Sequence, residues 1–402
     1  MKNKIGIYNP YLETKGGGEK VCLALAEYFA NEKKNTDVRL VTHGPVDIDD
    51  LGRYFNFDLS RVKVDIVNAD SIVSKIVHRL PLPGGVKNIF FEAAQVKKMR
   101  EQNYDLFINN CYQSNLPNVG KQGIYMCMFP QKIFGESNGV HIVKRAYKFV
   151  LNNAYKYIVG RGKHPVYSYD VITANSKYTQ GYIERYWGIH NSELLYPICE
   201  DMLADNVKKR KVILNVGRFF GKNHHAHHKR QDAVLESFIA SKDLIEDGWE
   251  LHLAGSVAND VDSLSYVLQL MASASKYPVE FHLNCPFPEI KRLFNEAAIY
   301  CHATGFGTDQ ERFPEKQEHF GIVTVEAMSA KATPVVFNSA GQKEIIKEEA
   351  NGFLWSNAEE LTEKLAEAAA HPINAKRLRK DSHKYSKGAF QKRLAEITSQ
   401  LS

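Results

Sequence analysis

Short apolar runs of four to seven residues, each closed by a polar or glycine-bearing turn, recur through most of the chain. Ile5–Tyr8, Val38–Thr42, Val62–Val67, Asp105–Asn109 and Asp170–Ala174 lie in the first half. Val212–Arg218, Glu250–Gly255, Val279–Asn284, Ile299–Ala303 and Thr333–Asn338 lie in the second. β-Branched and other aliphatic residues dominate them, as in strands buried on both faces. Several are followed by apolar residues at helical spacing, such as Val21, Leu23, Leu25, Ala26 and Phe29, or Ala233, Val234, Leu235 and Phe238. This is the βαβ rhythm of a parallel sheet covered by helices, so the chain is α/β. Its 402 residues exceed what one hydrophobic core usually holds, and two domains are expected. The charged stretch Asp201–Lys211, with Lys208-Lys209-Arg210-Lys211, reads as a solvated connection between a domain over 1–200 and one over 206–382.

Charged residues make up 24% of the chain and the net charge is +6. That favours anionic ligands or surfaces but is far from a nucleic-acid-binding composition. The six cysteines form no C-x-x-C pair, and most sit in apolar runs, where a reduced core thiol is the default. The opening residues lack the apolar run of a signal peptide, and nothing approaches a membrane-spanning stretch. A cytoplasmic protein is expected, attached to a membrane only from outside if at all.

The chemistry concentrates around Pro314–Met328. A polar, turn-prone segment passes at Gly321 into an apolar helical pattern. Glu318 and Glu326 flank that junction with seven residues between them. A helix start exposes unpaired N–H groups and the positive end of the dipole, which suits a phosphate. Gly321 lets a ligand approach the backbone. Glu326, about one turn in, is placed to accept hydrogen bonds from hydroxyls. A diphosphate flanked by hydroxyl-bearing rings describes a nucleotide sugar. Arg218 ends the Val212 strand, and Lys229 precedes the next helix. Near the N-terminus, Gly16-Gly17-Gly18-Glu19-Lys20 follows the first strand, the opening of a ligand-binding α/β unit.

Glu318-His319-Phe320-Gly321-Ile322 with Glu326-Ala327-Met328, then Pro334-Val335-Val336 and Ala340–Ile345, closely resembles the glutamate-x7-glutamate signature of retaining glycosyltransferases with the GT-B fold, family 4 (group 1). The likeness covers most of the chain, most strongly 300–355. It implies two Rossmann-like domains facing across a cleft, with 383–402 packing back on the first. The first domain would serve the acceptor and the second a nucleoside-diphosphate sugar. It further implies that Arg218 and Lys229 clamp the donor diphosphate, with Arg230 as the alternative cation if the register shifts by one. Glu318 would contact the donor sugar, alongside Phe320. Backbone N–H groups of Gly321, Ile322 and Val323 would meet phosphate. Glu326 would hold the ribose, and Gly17 and Gly18 would approach the reacting centre. No metal or other cofactor is required. The acceptor would be a carbohydrate or lipid-linked glycan.

Some features fit less simply. Many members of that family carry histidine before Phe-Pro where this chain has Met128-Phe129-Pro130. The basic, aromatic stretch 144–164 suits either a solvated surface or an anionic membrane face. Gly221–His228 holds four histidines without a partner cluster, and Asp260-Val261-Asp262 reads as a helix cap before it reads as a metal ligand pair. Asn175 and Ser176 suit either a cleft edge or a cap. A phosphorylase or epimerase of the same fold, or a non-catalytic sugar-nucleotide binder, are the rival readings.

Overall fold

The computed structural model describes residues 2–31, 35–68, 76–77, 79–132, 150–151, 153–160, 162–205, 207–221 and 228–401. The chain forms two units. One runs up to Leu195 and takes in the chain again from Gln391; the other is Tyr196–Phe390.

Among the described residues the first unit is built on seven parallel strands: β1 Asn3–Tyr8, β2 Thr36–Thr42, β3 Lys63–Ile66, β4 Leu106–Asn109, β5 Gln122–Cys127, β6 Val171–Ala174 and β7 Glu193–Leu194. Their order is β3-β2-β1-β4-β5-β6-β7. The second holds six: β8 Arg210–Val216, β9 Glu250–Gly255, β10 Val279–Leu283, β11 Ala297–His302, β12 Thr333–Phe337 and β13 Phe353–Trp355. Their order is β10-β9-β8-β11-β12-β13. Both are Rossmann-like. Each sheet grows outward from its first strand and then reverses, at β1/β4 and at β8/β11. Ligands of open parallel sheets bind beyond the strand ends at such a reversal.

Alternation along the central strands of the second sheet feeds two cores. Ile213, Leu251, Leu253, Ile299, Cys301 and Val335 face one side. Val212, Leu214, Ala254, Tyr300 and Val336 face the other, where Phe320, Val325 and Met328 cover them. Burial on both faces explains why these strands read as continuous apolar runs. Cys22, Cys111, Cys127, Cys199 and Cys301 are buried free thiols.

Several expectations change in detail. The polar segment after Asp201 is not a free connection but is tied into the second unit. Met202 N–H donates to Ser329 Oγ at 2.9 Å, Ala204 N–H to Asn295 Oδ1 at 2.8 Å, and Lys209 Nζ to Ala297 O at 2.7 Å. Burial, and secondarily the charge of Lys331, pushes Lys209 down to about 7. β5 is absent from the runs read above, because Gly123 and two sulfur-bearing residues give little β signal. The chain's last helix, Lys387–Ser399, ends in the first unit, where Arg393 Nε donates to Leu194 O at 3.1 Å and its guanidinium pairs with Glu193.

Candidate active site

Gly321 stands at the head of the helix Ile322–Ser329 with φ +121°, a conformation other residues rarely adopt. A Cβ there would also lie 2.7 Å from Gln342 Nε2. The first backbone bonds of the helix run from Thr324 N–H and Val325 N–H to Gly321 O. The amides of Gly321, Ile322 and Val323 therefore lie outside the helical ladder, as helix starts require. Phe320 turns its ring into the core, 5.4 Å from Tyr196 and 5.2 Å from Tyr385. What it presents at the helix head is backbone. Glu326 is largely buried, and its Oε1 accepts the Glu200 N–H at 3.2 Å.

Across the β8/β11 reversal, Lys229 reaches Glu318. Its Nζ is 2.7 Å from Glu318 Oε2. The lysine stem crosses the end of β8 at Gly217, where a Cβ would lie 2.9 Å from Lys229 Cγ. Arg230, the alternative cation, is committed elsewhere: its Nε is 3.0 Å from Asp232 Oδ1 and its guanidinium lies over the Phe306 ring. Of the two, Lys229 is the one that meets Glu318. Arg218 is exposed beyond β8, 4.9 Å from the Phe220 ring, with no carboxylate partner among the described residues.

Glu318 Oε2 has a second partner, His302 Nε2 at 3.3 Å, at the C-terminal end of β11. Burial by itself raises the pKa of Glu318, but the Lys229 charge and the hydrogen bonds from His302 and Lys229 outweigh it and hold the carboxyl well below the usual range. Burial likewise lowers His302, and the pull of Glu318 does not compensate. The imidazole is thus neutral at pH 7, with Nε2–H donating to the carboxylate. That leaves Nδ1 as an acceptor, and it is buried without a hydrogen-bond partner among the described residues, as are both ends of the Gln342 amide. Unpaired buried polar atoms cost about 1–3 kcal/mol each. Such a cluster beside an open helix start is typical of a site shaped for a polar ligand.

In the first unit the helix Gly17–Asn31 begins at Gly17, so Gly17 and Gly18 form its first turn. Glu19 Oε2 accepts Gly16 N–H at 2.8 Å, and Asn110 Nδ2 donates to Gly18 O at 2.8 Å. Met128 lies against Gly18: a Cβ there would be 2.7 Å from Met128 Cε. The departure at Met128 and the glycine loop are therefore one local feature. Ser176 and Asp260 are helix caps, accepting from Thr179 N–H at 3.0 Å and Ser263 N–H at 2.8 Å. Lys144, Arg145, Lys148 and Arg161 of the basic stretch, and 222–227 of the histidine loop, lie outside the described residues. No helix among the described residues is long and apolar enough to cross a membrane.

Residues 203–387 match the family described as "Glycosyl transferases group 1". This region belongs to the group 1 glycosyltransferase family. The group 1 region contains Arg218, Lys229, His302, Glu318 and the whole 322–329 helix. Sequence relatives include the GDP-Man:Man(3)GlcNAc(2)-PP-Dol alpha-1,2-mannosyltransferases of Xenopus laevis and Homo sapiens. The frog protein is 30% identical over 199 residues, covering 46% of this chain and 38% of the relative. The human protein is 29% identical over 219 residues, covering 51% and 41%. The chain spans less than half the length of these relatives. Among solved structures, Anabaena Alr3699/HepE in complex with UDP-glucose superposes with a TM-score of 0.66 at 14% identity, covering 99% of each chain. The fold is GT-B.

His302 and Gln342 were not singled out from the sequence. His302 ends the strand Ala297–His302, and that position alone signals proximity to a ligand. Gln342 opens the short helix Gln342–Ile345, twenty-one residues after Gly321 in number, and only packing brings it there.

Proposed function

We propose that the protein is a retaining hexosyltransferase of glycosyltransferase family 4. It transfers a sugar from a nucleoside-diphosphate sugar to an acceptor hydroxyl in glycan or polysaccharide biosynthesis. The observation that carries this reading is the Lys229–Glu318–His302 cluster beside the open amides of Gly321–Val323, at the reversal of the second sheet. GDP-mannose is the first donor to test, and a lipid-linked glycan the first acceptor class, because both appear in the names of the sequence relatives. A cytoplasmic setting, with access to the cytoplasmic membrane face, accords with such an acceptor.

In this mechanism the bond from the anomeric carbon to the donor phosphate breaks, and a bond from that carbon to the acceptor oxygen forms on the same face. The acceptor proton passes to a phosphate oxygen of the departing diphosphate. Arg218 and Lys229 neutralise the charge growing on that diphosphate, where fixed cations act most strongly in the transition state. The helix-start amides add to them. Glu318, oriented by Lys229 and His302, receives the sugar hydroxyls, and Glu326 the ribose. Gly17 and Gly18 meet substrate with backbone. Two cations supply the charge that a divalent metal supplies in other transferases, so added Mg²⁺ or Mn²⁺ is not required.

The test is a screen of GDP-, UDP- and ADP-sugars by thermal shift, followed by release of nucleoside diphosphate with and without acceptor. Acceptor-dependent release, with a product of unchanged anomeric configuration by NMR, is the expected result. Donor binding without release across acceptors would instead favour a binding protein.

A further inference from the structure

A second group of chemically active side chains lies on the outer strands of the second sheet and shares no residue with the site above. His252 on β9 and Glu280 on the edge strand β10 are register partners, and His282 lies two residues further along β10. His252 Nδ1 and His282 Nε2 are 3.1 Å apart. Glu280 Oε2 is 3.4 Å from His282 Nε2 and 3.7 Å from His252 Nε2. One ligand atom from each of the three residues falls within 4.8 Å of the others.

The far nitrogen of each ring faces a carboxylate, which favours the tautomers with N–H on that side. Glu250 Oε2 is 3.3 Å from His252 Nε2, and Glu289 Oε1, on the covering helix Phe287–Glu296, is 3.4 Å from His282 Nδ1. Both outer carboxylates are themselves steadied by arginine: Arg210 Nη2 is 2.9 Å from Glu250 Oε2, and Arg292 Nη2 3.8 Å from Glu289 Oε1. A carboxylate takes the N–H of each ring. That leaves the lone pairs of His252 Nδ1 and His282 Nε2 pointing at one another. Two facing lone pairs at this distance repel unless a cation or a proton lies between them. Carboxylate–imidazole pairs of this kind orient metal-binding histidines. In a tetrahedral site with bonds of 2.0–2.1 Å, neighbouring ligand atoms are separated by about 3.4 Å. Two of the three separations here are 3.1 and 3.4 Å.

We infer that His252, His282 and Glu280 form a site for a tetrahedral divalent transition-metal ion of the zinc class. Side-chain exposure runs from 2% at His252 through 11% at His282 to 59% at Glu280. The site therefore opens to solvent on the carboxylate side, where a water completes the coordination. The metal ties the edge strand to its neighbour and works by stabilising the second unit, whatever reaction the protein performs.

The experiment titrates Co²⁺ and then Zn²⁺ into the full chain carrying His224→Ala, His225→Ala and His227→Ala, so that these three loop histidines do not compete. One Co²⁺ per chain with visible absorption of tetrahedral intensity, displaced by Zn²⁺, is expected, together with a raised thermal midpoint in Zn²⁺. His282→Gln abolishes the absorption. Glu280→Gln, at an exposed position where folding is not at risk, weakens binding at least about tenfold. Glu289→Gln, which leaves all three ligands in place, weakens it about 10–100-fold. No tetrahedral absorption in the parent, or undiminished affinity in both Glu280→Gln and His282→Gln, overturns the assignment. The two imidazoles would then simply share a proton.

Discussion

Lys229 Nζ lies 2.7 Å from Glu318 Oε2, a pairing across 89 positions of sequence that joins the start of one helix to the approach of another. Both side chains are mostly covered, at 25% and 20% exposure. The pair serves two ends. It holds a carboxylate charged where burial opposes charge, and it holds a cation at the reversal of the sheet.

Lys229→Ala should lower turnover by roughly 10²–10³, the usual loss when one transition-state charge stabiliser is removed. A rate near wild type would reject the role given to Lys229. In folding, a double-mutant cycle of Lys229→Met with Glu318→Gln should give a coupling of about 1–3 kcal/mol by urea denaturation. Additive effects would show that the pair does not act as a unit.

Acid should weaken the second unit in two stages. His302 has a lowered folded pKa, so the unfolded chain takes up a proton near its ordinary value of about 6.5 that the folded chain refuses. Its contribution is complete above that pH and is lost as pH falls below it. Glu318 is also lowered, so its contribution is complete above about 4.5 and is lost as pH drops through the folded value. Urea midpoints of wild type and His302→Gln at pH 7 and 5.5 test the first stage. The variant should lose less stability over that interval; an equal loss would refute the assignment.

Two glycines should respond very differently to alanine. At Gly341 the added Cβ would lie 2.3 Å from His319 O and 2.4 Å from Phe320 Cα, both backbone. Neither can yield without moving the segment that carries Glu318, so a loss of about 3 kcal/mol or more is expected. At Gly18 the obstacle is the end of the flexible Met128 side chain. Gly18→Ala should cost under about 1.5 kcal/mol, and Met128→Ala in the same chain should relieve most of that. Thermal or chemical denaturation of the three variants reads both outcomes.

Asp260→Ala should cost about 1 kcal/mol of stability, the value of a helix cap, because Asp260 accepts both the Ser263 N–H and the Ser263 hydroxyl at 2.8 Å. Turnover at 25 °C should be unchanged with or without added Mg²⁺. A metal-dependent loss of rate would restore Asp260-Val261-Asp262 as a ligand pair.

Much of this was legible along the chain. Ile5–Tyr8, Glu250–Gly255 and Thr333–Asn338 read as buried strands because both faces of each sheet are covered, and continuous apolar runs record that directly. Gly321 marks its helix start through residue type alone. Local order of this kind depends on neighbours within a few positions, which a linear reading sees. In Asp201–Lys211 the charges of Lys208, Arg210 and Lys211 are solvated as the composition suggests, but Lys209 finds two backbone carbonyls that are distant in sequence.

Composition and periodicity thus settled that the chain is a paired parallel α/β protein with a glycine-headed helix start between two glutamates, since these follow from burial and backbone geometry at short range. Which cation meets Glu318, that His302 supports it, that Gln342 backs Gly321, and that His252 and His282 face each other were decided by folding. Strand order and helix packing bring together side chains tens of residues apart, and nothing in their local spacing encodes that proximity.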